Sequence, residues 1–353
     1  MRILYFGIYD PEYSRNRVLI EGLRENGAEV VECREIAGSS WKYLKLTQKY
    51  LKLRNKFDIM VVGFPGQEVV FLAKILTRKP IVFDAFTSHY GGYILDRQYF
   101  SKKSWRAKYY RFLDTWSCKL ADMVLLDTDA HIDFFVKEFG LRREKFKRIF
   151  VGTDSKVFYP REIKKDTDNF LVHFHGNYIP LQGVEYIIRA AKLLEKENIS
   201  FNLTGQGQTY KKDRQLAEKL GIKNINFIDR VSYKELADYM TKADVCLGIF
   251  GDTPKTNLVI PNKVFEALAC KKPVITADTP AIRELISDNE ALLVKASDPE
   301  ALAEGILRLK EDPVERDKVA EKGYDVFCRT STPGILGSKL VEIIKELSHH
   351  VSR

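Results

Sequence analysis

Two doubly wound α/β domains in tandem are the fold class this chain predicts, and three observations carry the prediction. Short apolar runs rich in Val, Ile and Phe recur between amphipathic segments along nearly the whole length. They are apolar at successive rather than alternate positions, the pattern of parallel strands covered on both faces. At 353 residues the chain is longer than a single core usually organises. Finally, the strand–helix alternation pauses at Val151-Gly152-Thr153-Asp154, Phe158 and Pro160, crosses a charged stretch over 161–168, and restarts at Phe170. The expected domains are therefore 1–160 and 161–353, with the final helix (about 330–348) expected to pack back on the first.

Taken in order, 1–7 reads as a strand ending at Gly7, followed by a polar loop over 8–14. A helix over 15–26 follows, with Val18, Leu19, Gly22 and Leu23 on its inner face, and Gly27 stops it before a strand over 28–33. This βαβ opening has no Gly-x-Gly-x-x-Gly, so the dinucleotide fingerprint is missing. A helix over 39–56 carries Lys42, Lys45, Lys49, Lys52 and Lys56 on one stripe, and Tyr43, Leu46, Tyr50, Leu53 and Phe57 on the next. Strands over 58–64 and 80–84 flank a helix over 67–76. The second strand runs into Ala85-Phe86-Thr87-Ser88-His89-Tyr90-Gly91-Gly92. Polar residues just past a buried parallel strand lie at the carboxyl edge of the sheet, where open α/β folds bind ligands. His89 and Ser88 are candidates there, as are Gly7 and Asp10 after the first strand.

A second basic, aromatic segment runs from Arg97 to Trp116, and a strand over 123–127 and a helix over 130–139 complete the first half. In the second half, strands over 170–175, 199–204, 224–228, 244–249, 273–277 and 291–294 alternate with helices over 183–196, 211–220, 232–242, 262–270, 281–286 and 299–309. Helices over 314–328 and 337–347 finish the chain.

Composition excludes several classes. No run approaches the roughly 18 apolar residues of a membrane span, and the chain enters a strand without a leader pattern, so a cytoplasmic protein is expected. The cysteines, Cys33, Cys118, Cys246, Cys270 and Cys328, are scattered and without a Cys-x-x-Cys pair. They read as reduced core thiols, and neither a metal nor a cofactor is expected. A net charge of +9 favours anionic partners. The lysine stripe reads either as a solvated face or, joined with the Arg97–Trp116 segment, as a contact with the anionic inner face of a membrane. No nucleic-acid partner is expected.

The most informative stretch is Pro261-Asn262-Lys263-Val264-Phe265-Glu266-Ala267-Leu268-Ala269-Cys270 followed by Lys271-Lys272-Pro273-Val274-Ile275. A proline opens a helix that feeds a buried strand, so the helix N-terminus offers unpaired N–H groups and a partial positive charge. Lys263 adds to that anion site. Glu266, one turn on and on the same side, suits the hydroxyls of a sugar diol better than a phosphate.

Around this stretch stand Gly205-Gln206-Gly207 after a strand, Ala243-Asp244-Val245 opening another, Glu284, and Ser297-Asp298-Pro299-Glu300 with Leu302. In this order the series resembles the signatures of family 4 retaining glycosyltransferases (glycosyl transferases group 1), and Val151-Gly152-Thr153-Asp154 is similar to that family's crossover segment. The resemblance covers the second half densely and the first only in strand order. It implies a GT-B fold, two Rossmann-like domains facing a cleft, with the nucleotide-sugar donor in the C-terminal domain and the acceptor, a sugar or lipid-linked molecule, in the N-terminal one. It also implies transfer with retention and without a metal. The charge developing on the leaving diphosphate is then met by backbone N–H groups, helix ends and cationic side chains. On this basis Lys263, Glu266 and His89 are the expected catalytic residues. Gly205, Gly207, Arg230, Val231, Lys255, Asn262, Asn177 and Gln182 are expected to bind donor, and Gly7, Asp10 and Ser88 to lie on the acceptor side.

This sequence departs from the family at two places. Eight positions before Glu266, where a first glutamate is usual, stands Leu258. The segment that usually supplies an arginine and a lysine to the diphosphate reads Gly176-Asn177-Tyr178-Ile179-Pro180-Leu181-Gln182-Gly183, without either charge. Lys263 and Lys255 are the expected replacements. The departures leave two alternatives to the transferase: a sugar-nucleotide-binding or regulatory protein with weak or no turnover, and a nucleotide-sugar epimerase.

Overall fold

The computed structural model describes residues 1–36, 38, 41–165, 168–287 and 289–351, with side chains to 347. The expected helix start at Ser39, and residues 166 and 167 of the crossover, lie outside the described residues. The chain folds as two compact units. The first is Met1–Ile94, Gln98–Asp154 and Thr330–Arg353, and the second is Leu95–Arg97 and Ser155–Arg329.

The first unit runs β1 (Arg2–Ile8), α1 (Ser14–Glu25), β2 (Glu29–Glu35), α2 (Lys42–Leu53), β3 (Ile59–Val62), α3 (Val69–Leu76), β4 (Ile81–Phe86), α4 (Trp105–Leu120), β5 (Met123–Leu126), α5 (Asp129–Phe139) and β6 (Phe146–Arg148). Its sheet has the order β2-β1-β3-β4-β5-β6, with all pairs parallel. β3 and β5 are buried at every position, which is why they carry no alternating pattern. Arg15 anchors α1 on this sheet. Its guanidinium is fully buried, pairs with Asp84 at 2.8 Å and donates to the carbonyls of Ile149 and Phe150. With these acceptors the buried charge is matched by opposite charge and hydrogen bonds, the condition under which burial is tolerated.

The second unit runs β7 (Phe170–His175), α6 (Val184–Leu193), β8 (Ile199–Thr204), α7 (Tyr210–Lys219), β9 (Ile225–Ile228), α8 (Tyr233–Lys242), β10 (Val245–Leu247), α9 (Asn262–Ala269), β11 (Val274–Ala277), α10 (Pro280–Arg283), β12 (Leu292–Val294), α11 (Pro299–Glu311) and α12 (Pro313–Thr330). The sheet is parallel throughout, in the order β12-β11-β10-β7-β8-β9. Counted within the unit this is the Rossmann order, and its topological switch point lies between β7 and β10. Phe174, Phe201, Ile187, Ile188, Leu302 and Ile306 pack α6, α11 and the sheet into one core. Local signals agree with the fold: Ser232 and Glu235 form a capping box on α8, and Asp298 caps α11 with Pro299 in its first turn. Asp244, from the Ala-Asp-Val motif, accepts from the Leu171 N–H at 2.8 Å and from Lys165, so it pins the start of β7.

The first unit ends at Asp154 rather than at the expected residue 160. Asp154 pairs with Arg17 of α1 at 3.4 Å, and at Gly152 an added Cβ would meet the Ser331 carbonyl at 2.5 Å. The last helix, α13 (Pro333–Val351), crosses α1 at two glycines. A Cβ on Gly337 would meet the Gly22 carbonyl at 2.0 Å, a distance only hydrogen allows.

Candidate active site

β7 delivers His175 to the carboxyl edge of the second unit's sheet, and Gly176 turns the chain away from it. α9 stands behind this turn. Its residues from Lys263 to Ala269 are all buried, so the helix is held by apolar contact on every side and its two charged residues have been carried inward with it. Both have found partners.

Glu266 is 3% exposed, and its Oε2 lies 2.8 Å from Nε2 of His175. Nδ1 of His175 lies 3.3 Å from Nε2 of His173. Burial drives the proton off His173, with His175 and Lys263 adding to the effect, so its imidazole is held well below the usual histidine range. Lys263 is 5% exposed. Its Nζ donates to Oε1 of Gln182 and sits 3.9 Å from the centre of the Phe174 ring. Burial holds the Lys263 pKa well below the ordinary lysine value, against the opposing charge of Glu266. Gly176 leaves this amine room, since a Cβ there would come within 3.0 Å of Nζ.

The neutral turn after β7 is thus bonded to basic side chains from elsewhere in the unit. Gln182 holds Lys263, and Asn177 accepts from Nη2 of Arg230 at 2.8 Å. Arg230 and Asn177 are exposed, and Val231 is half-buried just before the Ser232 cap. Lys255 lies elsewhere. Its charge acts on Asp96, a fully buried carboxylate that accepts from the Leu181 N–H at 3.0 Å and from the Thr253 hydroxyl at 2.9 Å. Burial raises the Asp96 pKa, and Lys255 partly opposes it. Asn262 is the first residue of α9 and half-buried, and Leu258 follows a short 3-10 turn over Pro254–Asn257.

Gly205 and Gly207 serve backbone packing in this structure. The loop after β8 lies on the turn after β7: Tyr178 N–H donates to the Gln206 carbonyl at 3.0 Å and Thr209 N–H to the Tyr178 carbonyl at 3.0 Å. A Cβ on Gly205, whose φ is +127°, would meet the Gly176 carbonyl at 2.1 Å, and one on Gly207 would meet the Tyr178 backbone at 2.6 Å.

In the first unit, Gly7 packs against the Tyr9 ring, and the exposed Asp10 accepts from the Glu12 N–H at 2.9 Å. Ser88 is buried and its hydroxyl donates to Asp114 at 2.7 Å. Asp114 also receives the N–H groups of His89 at 3.1 Å and Tyr90 at 2.8 Å, so one carboxylate shapes the whole loop after β4. The half-buried His89 ring packs against Tyr93 and Tyr110. On α2, Leu46 and Tyr50 face inward. Lys45 and Lys52 are exposed, Lys42 lies over the Tyr43 ring, and Lys49 is held by Glu35 and the Arg34 carbonyl. Tyr43 of α2 and Tyr109 of α4 both donate to Glu68, at 2.6 and 2.9 Å, which joins the two basic, aromatic segments. Arg97 is the exception, since it belongs to the second unit.

Four of the five cysteines are buried free thiols and Cys328 is exposed. No described helix is long and apolar enough to cross a membrane. Sequence reasoning missed His175, His173, Asp114 and Asp96. Only His175 carried a signal, as the last residue of the second half's first strand beside a glycine.

Residues 155–326 match the family model of glycosyl transferases group 1. An uncharacterized glycosyltransferase of Methanocaldococcus jannaschii is 27% identical over 185 residues, 50% of this chain and 47% of the relative. The GDP-mannose-dependent monoacylated alpha-(1-6)-phosphatidylinositol monomannoside mannosyltransferase of Corynebacterium glutamicum is 23% identical over 243 residues, 62% of this chain and 63% of the relative. The chain thus spans less than two thirds of the length of these curated relatives. Among solved structures, Anabaena HepE in complex with UDP-glucose superposes with a TM-score of 0.73 at 18% identity, covering 98% of this chain and 100% of that one. Sucrose-phosphate synthase of Thermosynechococcus elongatus gives 0.76 at 15% identity, covering 99% of each chain. The fold is therefore GT-B, two Rossmann-like units each built on a six-stranded parallel sheet.

Proposed function

We propose that this protein is a glycosyltransferase that moves a sugar from a nucleotide-sugar donor to an acceptor, and, more finely, a family 4 enzyme acting with retention of configuration. The observation that carries the proposal is the convergence of Glu266, Lys263 and the N-terminus of α9 beside the β7–β10 switch point. There a carboxylate can accept from a ribose diol while an amine and unpaired helix N–H groups meet a diphosphate. Gly205 and Gly207 support the site by seating one loop on the other. Arg230, tied to Asn177, is a second cation near the same turn. In the first unit we assign His89, beyond the carboxyl end of β4, as a catalytic residue on the transferred sugar, and Ser88, Gly7 and Asp10, near the carboxyl ends of β4 and β1, to the acceptor side.

The test is a thermal-shift screen of UDP, GDP, ADP and the matching nucleotide sugars. A ligand at 100 times its dissociation constant stabilises by about 2.7 kcal/mol, so the right base raises the melting temperature and the wrong ones do not. No shift with any nucleotide overturns the assignment. A binding protein without turnover is the second reading, favoured by the neutral Asn177 and Gln182. Release of nucleoside diphosphate from the stabilising donor, in the presence of a lipid or oligosaccharide extract, excludes it.

The acceptor we propose is membrane-associated. Lys45 and Lys52 stand exposed on α2, and Trp41, Trp105, Phe112 and Trp116 present large apolar rings to solvent on and beside α2 and α4. A lysine near an anionic surface contributes about 1 kcal/mol, so reversing two of them in the double variant Lys45→Glu/Lys52→Glu lowers affinity for phosphatidylserine-containing vesicles by at least about tenfold. Flotation that is the same with pure phosphatidylcholine vesicles removes the membrane from the proposal.

A further inference from the structure

We propose that His175 is a positioning residue for Glu266, holding the carboxylate by one oxygen so that the other is presented to a vicinal diol of the ligand. The proposal rests on the assignment of Glu266 to the ribose, and it adds what makes a buried carboxylate available there.

Three buried residues form one directional chain: His173 is 1% exposed, His175 9% and Glu266 3%. Each ring can be assigned a tautomer from its partners. A carboxylate only accepts, so the 2.8 Å contact with Glu266 places the proton of His175 on Nε2. Nδ1 of His175 is then an acceptor, and the 3.3 Å contact places the proton of His173 on its own Nε2. That leaves Nδ1 of His173 as the acceptor at the end of the chain, buried and without a hydrogen-bond partner. Burial keeps that ring neutral, as the direction of the chain requires.

The consequence for Glu266 is geometric. Its Oε2 receives the His175 proton, while Oε1 receives no hydrogen bond from any described residue. A carboxylate offers about four lone-pair sites, so one imidazole leaves room for two hydroxyls. Glu266 is on the second turn of α9, and a free glutamate there would choose among several rotamers. One charge-assisted hydrogen bond to a ring fixed by β7 removes that freedom before ligand arrives. His175 also gives the buried Glu266 a hydrogen-bond donor, which offsets the cost of burying a polar group next to the apolar core of the unit.

The experiment uses three single variants of the full chain, titrated by calorimetry with UDP and GDP in parallel, with thermal unfolding recorded for each. His175→Leu removes the donor and is expected to raise the dissociation constant of the binding nucleotide by about 10- to 100-fold, the range of a charge-assisted hydrogen bond. His175→Gln keeps an N–H donor at the distance of Nε2 and is expected to stay within about threefold of the parent chain. Glu266→Ala is the control on the underlying assignment. If it leaves affinity unchanged, the ribose role of Glu266 has failed and His175 falls with it. If Glu266→Ala loses binding while His175→Leu, folded, keeps the parent affinity, the ribose role stands and the positioning role is overturned. Should His175→Leu fail to fold, His175→Gln decides: recovered affinity supports the proposal, and a folded His175→Gln variant without affinity overturns it. A nitrogen spectrum of the parent chain showing His175 protonated at Nδ1 rather than Nε2 also overturns it.

Discussion

Glu266→Ala is expected to abolish nucleotide binding while the protein stays folded. Glu266 would accept two hydroxyl hydrogen bonds from a ribose, and hydrogen bonds to a charged group contribute about 1.5–3 kcal/mol each. Losing both costs about 3–6 kcal/mol, or roughly 10²- to 10⁴-fold in dissociation constant, enough to put a micromolar ligand beyond calorimetric detection. The fold survives because β7, β10 and the buried apolar side chains of α9 are untouched. Stability does fall, because the Nε2 proton of His175 loses its acceptor. A buried unsatisfied donor costs about 1–3 kcal/mol, which a thermal melt resolves. Binding that persists at the parent affinity would show that Glu266 is no more than a core carboxylate paired with a histidine.

Much of this site was legible in the sequence, and the parts that were not share a physical reason. Lys263 and Glu266 lie three apart on one short helix opened by Pro261, so their spacing alone puts them on one side of it, and the apolar run after Pro273 announces the strand that seats it. The parallel sheets were legible for the same reason. Ile59–Val62 and Met123–Leu126 are buried throughout, and burial on both faces writes itself as an unbroken apolar run. What could not be read were pairings across large separations. Lys263 and Gln182 are 81 residues apart, Glu266 and His175 are 91 apart, and nothing in either sequence neighbourhood names the other. Leu95–Arg97 illustrates the limit further. Three residues in the middle of the first half belong to the second unit because Asp96 accepts from Leu181 and Thr253, and a boundary drawn along the chain cannot express that. The crossing of α1 and α13 is similar: Gly22 and Gly337 look like ordinary helix glycines until the backbones are seen in contact.

Lys263→Met is expected to slow sugar transfer by about 10²-fold at saturating donor and to remove a proton from the binding equilibrium. In the free protein, burial holds the Lys263 pKa well below that of an ordinary lysine, so at a pH above this lowered value the amine is largely uncharged. A diphosphate placed at the N-terminus of α9 brings opposite charge to it and raises the pKa again. Between the lowered value in the free protein and the restored one in the complex, binding therefore takes up a proton. Affinity gains as pH falls through the restored value and stops gaining below the lowered one. The measurement is calorimetry in two buffers of different ionisation enthalpy. A nucleotide sugar is the ligand of choice, because its diphosphate has no terminal phosphate group to titrate near pH 6. The parent chain should take up as much as one proton and Lys263→Met less by that amount. The kinetic effect follows from the same charge. With Asn177 and Gln182 neutral, Lys263, once the diphosphate has restored its charge, and Arg230 are the cations at the turn after β7, and a charge-assisted interaction with a leaving group is worth roughly 1.5–3 kcal/mol, up to about 10²-fold in rate. Methionine keeps most of the volume under the Phe174 ring, so the change tests charge rather than packing. Equal proton uptake by the two proteins, or an unchanged rate of nucleoside diphosphate release, would assign Lys263 to the core and leave Arg230 to carry the leaving group.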